Sequence, residues 1–218
     1  MKNNLRNFTF NLLKRNNFMK IVFFGDSITD ANRNREQCAT NFKYGSGYVL
    51  FATSKVIEKY FDKYEVVNRG ISGECTKDLL ARFERDVVSE MPDVLTILVG
   101  ANDFWFGLEL FEERYEELIS KIKERLPNTK VILMQPFVLK GYHSDSQNGV
   151  YHKIRDYAKI VDKIAKKYDY PYVELQSELD NQSKIYGDSA ILYDGIHPNV
   201  FGAKIIADKW FEVFEKNN

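Results

Sequence analysis

A serine hydroxyl becomes a nucleophile only when a base takes its proton, and the base must itself be oriented by a third group. Two segments of this chain offer those groups. Gly25-Asp26-Ser27-Ile28-Thr29 lies near the start, and Tyr193-Asp194-Gly195-Ile196-His197-Pro198-Asn199 near the end. An Asp three residues ahead of a His can set its carboxylate beside the imidazole within one turn. There it fixes the ring tautomer and stabilises the imidazolium formed on proton transfer. Among the three histidines only His197 has such a neighbour; His143, in a polar loop, and His152, at a helix start, read as solvent-exposed. Ser27, Asp194 and His197 thus supply nucleophile, orienting acid and base in the order Ser…Asp…His. Each segment alone is a weak signal, because Gly-Asp-Ser loops are common and Asp-x-x-His often marks only a capping turn.

The elements that must hold these groups are readable from periodicity. Ile21 to Phe24 is a continuous apolar run, the pattern of a strand buried on both faces, and Gly25 lets the backbone turn where that strand ends. Ser27 therefore falls at the carboxyl end of a parallel strand, where open α/β sheets handle ligands. An irregular polar loop is expected over Asp30 to Lys43, then a helix from about Tyr48 to Phe61 and a strand over Glu65 to Asn68. The loop Arg69-Gly70-Ile71-Ser72-Gly73 leads to a helix over Thr76 to Ser89, with Leu80, Phe83 and Val87 at helical spacing. Val94 to Val99 reads as a central strand running into Gly100-Ala101-Asn102-Asp103. Phe111, Tyr115, Leu118 and Ile122 mark the next helix, and Lys130 to Gln135 the fourth strand. A helix through Val150, Ile154, Tyr157, Val161, Ile164 and Tyr168, a short strand over Tyr172 to Leu175, and a last helix from about Val200 complete the series. That last helix is expected to turn Phe201, Ile205, Trp210 and Phe214 inward. Five apolar strands alternating with helices predict an α/β fold, a three-layer α/β/α sandwich around a five-stranded parallel sheet. No linker, repeat or low-complexity break occurs, so residues 19–218 are expected to form a single domain. Residues 1–18 carry Lys2, Arg6, Lys14 and Arg15 with no acid and a short, broken apolar stretch. They read as a poor signal peptide and as an N-terminal extension outside the core, with Met19 as an alternative start.

Composition narrows the function class. Thirty-one basic and thirty-one acidic residues cancel in 218, leaving no electrostatic footprint for a nucleic acid or a membrane surface. No apolar run approaches membrane-spanning length. The two cysteines, Cys38 and Cys75, form no CxxC pair, which argues against a disulfide framework or a structural zinc site, and no His/Asp cluster has ligand-like spacing for a metal-dependent deacetylase. A phosphate-cradling nucleotide site is disfavoured because Asp26 would stand where phosphate should sit. No cofactor is expected, and a cytoplasmic location follows from the unconvincing signal segment.

Four loops in order, carrying Ser27, Gly73, Asn102 and Asp194/His197, fall on what should be one rim of the sheet. In Gly25-Asp26-Ser27-Ile28-Thr29, Ile71-Ser72-Gly73, Gly100-Ala101-Asn102-Asp103 and Asp194-Gly195-Ile196-His197-Pro198 the chain resembles the SGNH (GDSL-type) hydrolase family from about residue 19 to the last helix. The resemblance implies a flavodoxin-like sheet, a catalytic triad of Ser27, Asp194 and His197, and an oxyanion hole made by the N–H groups of Ser27 and Gly73 with the side-chain amide of Asn102. Such donors suit a tetrahedral intermediate, glycine allowing close backbone approach and Asn offering two N–H groups without charge.

At finer grain, Arg69 to Gly73, Gly100 to Trp105 and Ile132-Leu133-Met134-Gln135-Pro136-Phe137 are similar to a bacterial subgroup that includes acetylxylan esterases, in which a Trp at the position of Trp105 is typical. Glu74-Cys75 and Phe106 depart from that subgroup's pattern. The implied reaction is hydrolysis of small-acyl, acetyl-type esters of carbohydrates such as acetylated xylo-oligosaccharides. A lysophospholipase, thioesterase or aryl esterase on the same machinery is the alternative, and a catalytically silent binding protein the alternative of another class. The implied partner is a small-molecule ester, and the resemblance leaves a homo-oligomer open. Asp26, Trp105 and Tyr44 are the candidate substrate contacts, Trp105 first because a sugar can stack on its face. Asp26 also reads as a brace of the nucleophile loop, and Cys75 as a small buried residue.

Overall fold

The computed structural model describes residues 18–36, 40–144 and 149–218; the proposed extension, apart from Phe18, and Cys38 lie outside them. Five parallel strands, β1 (Met19–Gly25), β2 (Tyr64–Gly70), β3 (Val94–Leu98), β4 (Lys130–Met134) and β5 (Tyr172–Val173), form one sheet in the order β2-β1-β3-β4-β5. β1 is the second strand of this order, with β2 on one side and β3 on the other, so the strand order reverses there. At such a switch point the loops leaving neighbouring strands diverge to opposite faces and open a crevice at the carboxyl ends. Residues 26 and 27 leave β1 at that crevice.

Helices cover both faces. Ile21 and Phe23 pack with α2 (Tyr48–Tyr60) and α7 (Val200–Lys216) on one side. Val22 and Phe24, pointing the other way, pack with α3 (Thr76–Asp86), α4 (Leu108–Arg125) and α5 (Val150–Tyr168). The alternation follows from the two-residue period of a strand, and because both faces are covered every side chain from Ile21 to Phe24 is fully buried. Trp210 fixes α7 to the sheet. Its indole N–H donates to Thr96 Oγ1 on β3 at 3.0 Å, and its ring lies 4.8 Å from Phe23 and 4.9 Å from Phe214.

Several local expectations are corrected. Ser27, expected on a loop, opens a single helical turn, α1 (Ser27–Asp30), because Asp26 caps it through its side chain. Another helix, α6 (Gln176–Tyr186), was not foreseen; Leu179 is its one buried aliphatic, too little for a periodic signal. α3 ends at Asp86 and buries Leu79 rather than Leu80. β5 has two residues. Phe201 is 38 % exposed and meets Tyr186 edge-on instead of entering the core. Among the described residues, no helix is long and apolar enough to cross a membrane.

Candidate active site

The turn after β1 is set by a buried acid. Asp26 is wholly buried, and its Oδ1 accepts the N–H of Ile28 at 3.0 Å, capping α1 so that Ser27 stands at the first helical position, half-exposed at the crevice. Burial pushes the Asp26 carboxyl up to about 7; the Ile28 N–H works against this and the nearby charge of Asp103 adds to it. A side chain with no exposure cannot touch a ligand, so Asp26 is a brace and not a substrate contact.

His197 reaches Ser27 from the other end of the chain. Ser27 Oγ lies 2.9 Å from His197 Nε2, and His197 Nδ1 lies 2.7 Å from Asp194 Oδ2. The second oxygen of Asp194 accepts the N–H groups of Ile196 at 2.9 Å and His197 at 2.8 Å. Burial alone would raise the Asp194 carboxyl, yet the His197 N–H, the imidazole and the Ile196 N–H together hold it below its ordinary value. An ionised Asp194 at neutral pH keeps the proton on Nδ1 and leaves Nε2 as the acceptor facing Ser27. Tyr193 lies nearly parallel to the His197 ring, at 5.8 Å and 19°.

The turn that bears these two residues is clamped from both sides. Leu192 and Pro198 form an antiparallel bridge at its neck, and the Asn199 side chain caps α7 directly behind it, accepting from Phe201 N and Gly202 N. On the far side, Leu139 N donates to Gly195 O and His143 N to Asp194 O, each at 2.9 Å. Gly195 has φ +93, and a Cβ there would come within 2.4 Å of Ser144 Oγ, so both conformation and space demand glycine. This clamp brings His143 close. Its Nε2 is 3.7 Å from Asp194 Oδ2, although the side chain remains 55 % exposed. His143 was read as merely solvent-exposed, and nothing in its polar local sequence points to Asp194.

Gly73 and Asn102 follow β2 and β3, the two strands that flank β1. Gly73 adopts φ +84 in the loop after β2. Asn102 leads into the turn Asp103–Trp105, and its Nδ2 donates to Glu74 O at 2.8 Å, which leaves its second N–H free to point elsewhere. Asp103, fully buried, accepts from Thr76 N at 3.1 Å and Thr76 Oγ1 at 2.5 Å, tying this loop to the start of α3. Three further residues, not among those singled out from the sequence, hold the loops together: Asp30, Asn68 and Arg82. Asn68 donates to Thr29 O at 2.7 Å and to Tyr44 O at 2.9 Å, and its own oxygen accepts Gly70 N.

Of the remaining candidates, Trp105 is 70 % exposed and rests against Phe104 at 4.7 Å. Tyr44 lines a hollow with Phe18, Ile57 and Tyr64, while the cleft at Ser27 is lined by Asn32, Ser46, Ser72, Tyr193 and His197. Its carbonyl is held by the Asn68 amide. The Cys75 thiol is buried and donates to Asp78; burial first, then Asp78, pushes it up to about 11, so it is a helix-cap group and not a thiolate. Phe106 is covered by the Arg114 guanidinium at 4.4 Å.

The cleft has a volume of about 390 Å³ and is walled chiefly by uncharged polar groups. A hydroxyl with a base at hydrogen-bond distance and a buried acid behind that base can attack a carbonyl. The chain is similar to known proteins. Acetylxylan esterase of Geobacillus stearothermophilus is 34% identical over 200 residues, covering 86% of this chain and 90% of that protein. A Parabacteroides merdae structure described as a GDSL-like lipase superposes with a TM-score of 0.86 at 34% identity, covering 90% of this chain and 95% of its own. The acetylxylan esterase Axe2 from G. stearothermophilus gives 0.77 at 30% identity, covering 89% of this chain and 93% of its own. The family model for the GDSL-like lipase/acylhydrolase family matches residues 23–205. The match takes in all four motif loops, and the chain belongs to that family as a carboxylic ester hydrolase.

Proposed function

We propose that the chain removes small acyl groups, acetyl foremost, from carbohydrate esters such as acetylated xylo-oligosaccharides. The observation that carries this reading is the unbroken series Ser27 Oγ, His197 Nε2, His197 Nδ1 and Asp194 Oδ2, with gaps of 2.9 and 2.7 Å. Ser27 Oγ attacks the ester carbonyl as His197 Nε2 takes its proton. The oxyanion is held by the N–H groups of Ser27 and Gly73 and by the free N–H of Asn102. His197 then protonates the departing alcohol, leaving an acyl-Ser27 ester that water, activated by the same imidazole, cleaves. The chemistry needs no metal or redox group. Carbohydrate as the alcohol is supported by the uncharged polar cleft beside His197, by the exposed ring of Tyr193 there, and by similarity to acetylxylan esterases.

The test is acetate release from acetylated xylo-oligosaccharides by wild type and Ser27→Ala, run beside 4-nitrophenyl esters of rising chain length. The expected result is acetate from the sugars, little turnover beyond short acyl chains, and no turnover by Ser27→Ala. Activity that rises with chain length and ignores the sugars would move the substrate to lipids or thioesters. No hydrolysis of any ester by wild type would return the silent binding protein.

A further inference from the structure

We propose that Arg82, a residue of α3 outside the crevice, is a positioning residue for ester hydrolysis that sets the three oxyanion donors in register through one buried guanidinium. This rests on the assignment of Ser27 N, Gly73 N and Asn102 Nδ2 as those donors. The side chain of Arg82 is 5 % exposed, its guanidinium packed over Phe24 at 4.4 Å. Nη2 donates to Gly25 O at 3.0 Å, the last carbonyl of β1 before Asp26 and Ser27. Nη1 donates to Arg69 O at 2.7 Å, near the end of β2, and to Asp86 Oδ2 at 2.9 Å. Nε donates to the carboxylate of Glu74, the residue that follows Gly73.

Each acceptor belongs to a different support of the site. Gly25 O also accepts Ile71 N at 3.0 Å, so the cation and the Gly73 loop meet on one carbonyl beneath Ser27. Arg69 O and the Glu74 side chain grip the Gly73 loop before and after its glycine. Glu74 passes the restraint on, because its carbonyl receives the Asn102 amide at 2.8 Å. Glu74 is one of the positions where the chain departs from the related subgroup, and Arg82 is what that departure binds. A planar fork with donors in fixed directions can reach carbonyls of two strands and a carboxylate at once, whereas an ammonium is a point charge with freely turning donors. Donors that must meet an oxyanion within a few tenths of an ångström gain from such fixing in the transition state and not in substrate binding.

The experiment compares full-length wild type with Arg82→Met, Arg82→Lys, Glu74→Gln and, as a control, Arg85→Met. Arg85 also pairs with Asp86 but touches none of the three loops. 4-Nitrophenyl acetate gives kcat and KM, phenylboronic acid reports binding of a tetrahedral adduct on Ser27, and thermal unfolding reports folding. Arg82→Met should lose about 30–100-fold in kcat with KM changed less than about twofold, and the phenylboronate Ki should rise by a similar factor. Arg82→Lys should recover part of the loss, Glu74→Gln should lose roughly threefold or more, and Arg85→Met should match wild type. A folded Arg82→Met with kcat and phenylboronate Ki within about twofold of wild type overturns the proposal, as does a loss confined to KM. If Arg82→Met does not fold, an unchanged kcat in Glu74→Gln overturns it. With Ser27→Ala inactive, such results sink the role of Arg82 alone; Ser27→Ala as active as wild type would sink the site assignment with it.

Discussion

The carboxylate of Asp30, at the C-terminal end of α1, accepts the backbone N–H of Ser72 at 2.9 Å and so joins the turn that carries Ser27 to the loop that carries Gly73. The same carboxylate meets Arg35 at 2.6 Å and lies 3.9 Å from Arg33, whose side chain is 7 % exposed. Asp30→Ala would leave that buried guanidinium without its carboxylate and the Ser72 N–H without an acceptor. The expected cost is about 3 kcal/mol of stability, with a fall in kcat on the order of tenfold. Asp30→Asn, which keeps one acceptor for Ser72, should fall between. Urea unfolding and steady-state kinetics on both variants check this, and equal kcat for Asp30→Ala and wild type would rule out the link between loops.

In the proposed mechanism Asn102 supplies a donor whose bond strengthens as the carbonyl oxygen becomes an oxyanion. Asn102→Ala should therefore lower kcat by about 10²–10³-fold with little change in KM. Asn102→Asp keeps the size but removes both N–H donors and adds a negative charge at the oxyanion, and should be worse than Ala. Kinetics with 4-nitrophenyl acetate decide the matter. A rise in KM at constant kcat would mean that Asn102 contacts the ground-state substrate instead.

Asp26 links stability to pH. Its native carboxyl titrates at about 7 against an ordinary value of 3.8, because burial outweighs the Ile28 N–H. Between these values the native state holds a proton that the unfolded chain has lost, so stability declines as pH rises from about 4 to about 7 and is level above. Asp26→Asn keeps an oxygen for the Ile28 N–H and has no proton to lose. It should exceed wild type in stability at pH 8 by at most about 4 kcal/mol, and the gap should close toward pH 4. Thermal unfolding at pH 4, 6 and 8 measures it; a gap independent of pH would remove Asp26 as the titrating group.

Trp105 is the exposed aromatic that follows the Asn102-Asp103 pair. If it stacks on a sugar, Trp105→Ala should raise KM for acetylated xylo-oligosaccharides about tenfold, a loss of about 1.4 kcal/mol, and leave 4-nitrophenyl acetate nearly unaffected. Equal losses on the two substrates would place its role in supporting the Asn102 turn.

The sheet was legible because its central strands are continuous apolar runs, and the four loops because their glycines, Ser27, Asn102, Asp194 and His197 are chemically distinctive at the ends of those strands. What escaped was of another kind. Arg82 and Asp86 stand among Leu79 and Phe83 on the buried stripe of α3, an i,i+4 pair of charges where apolar residues belong. That misplacement is a usable signal of a buried ionic brace, but its acceptors, Gly25 O and Arg69 O, are backbone atoms and leave no trace in side-chain pattern. His143 and Tyr44 depend on how loops return to the sheet, which periodicity does not address. α6 has too few apolar residues for a helical stripe, and Phe201 carried the right spacing but meets Tyr186 at the surface.

The bond between Ser27 and His197 spans 170 positions of the chain. Ser27 opens α1 directly after β1, and His197 lies in the turn before α7, which Trp210 pins to β3. Ser27 therefore lacks its partner until the intervening chain has been made and α7 has docked. Local structure cannot assemble the pair early, because the loop that must close spans 170 positions. Any hydrolysis that depends on this pair is thus a readout of completed folding.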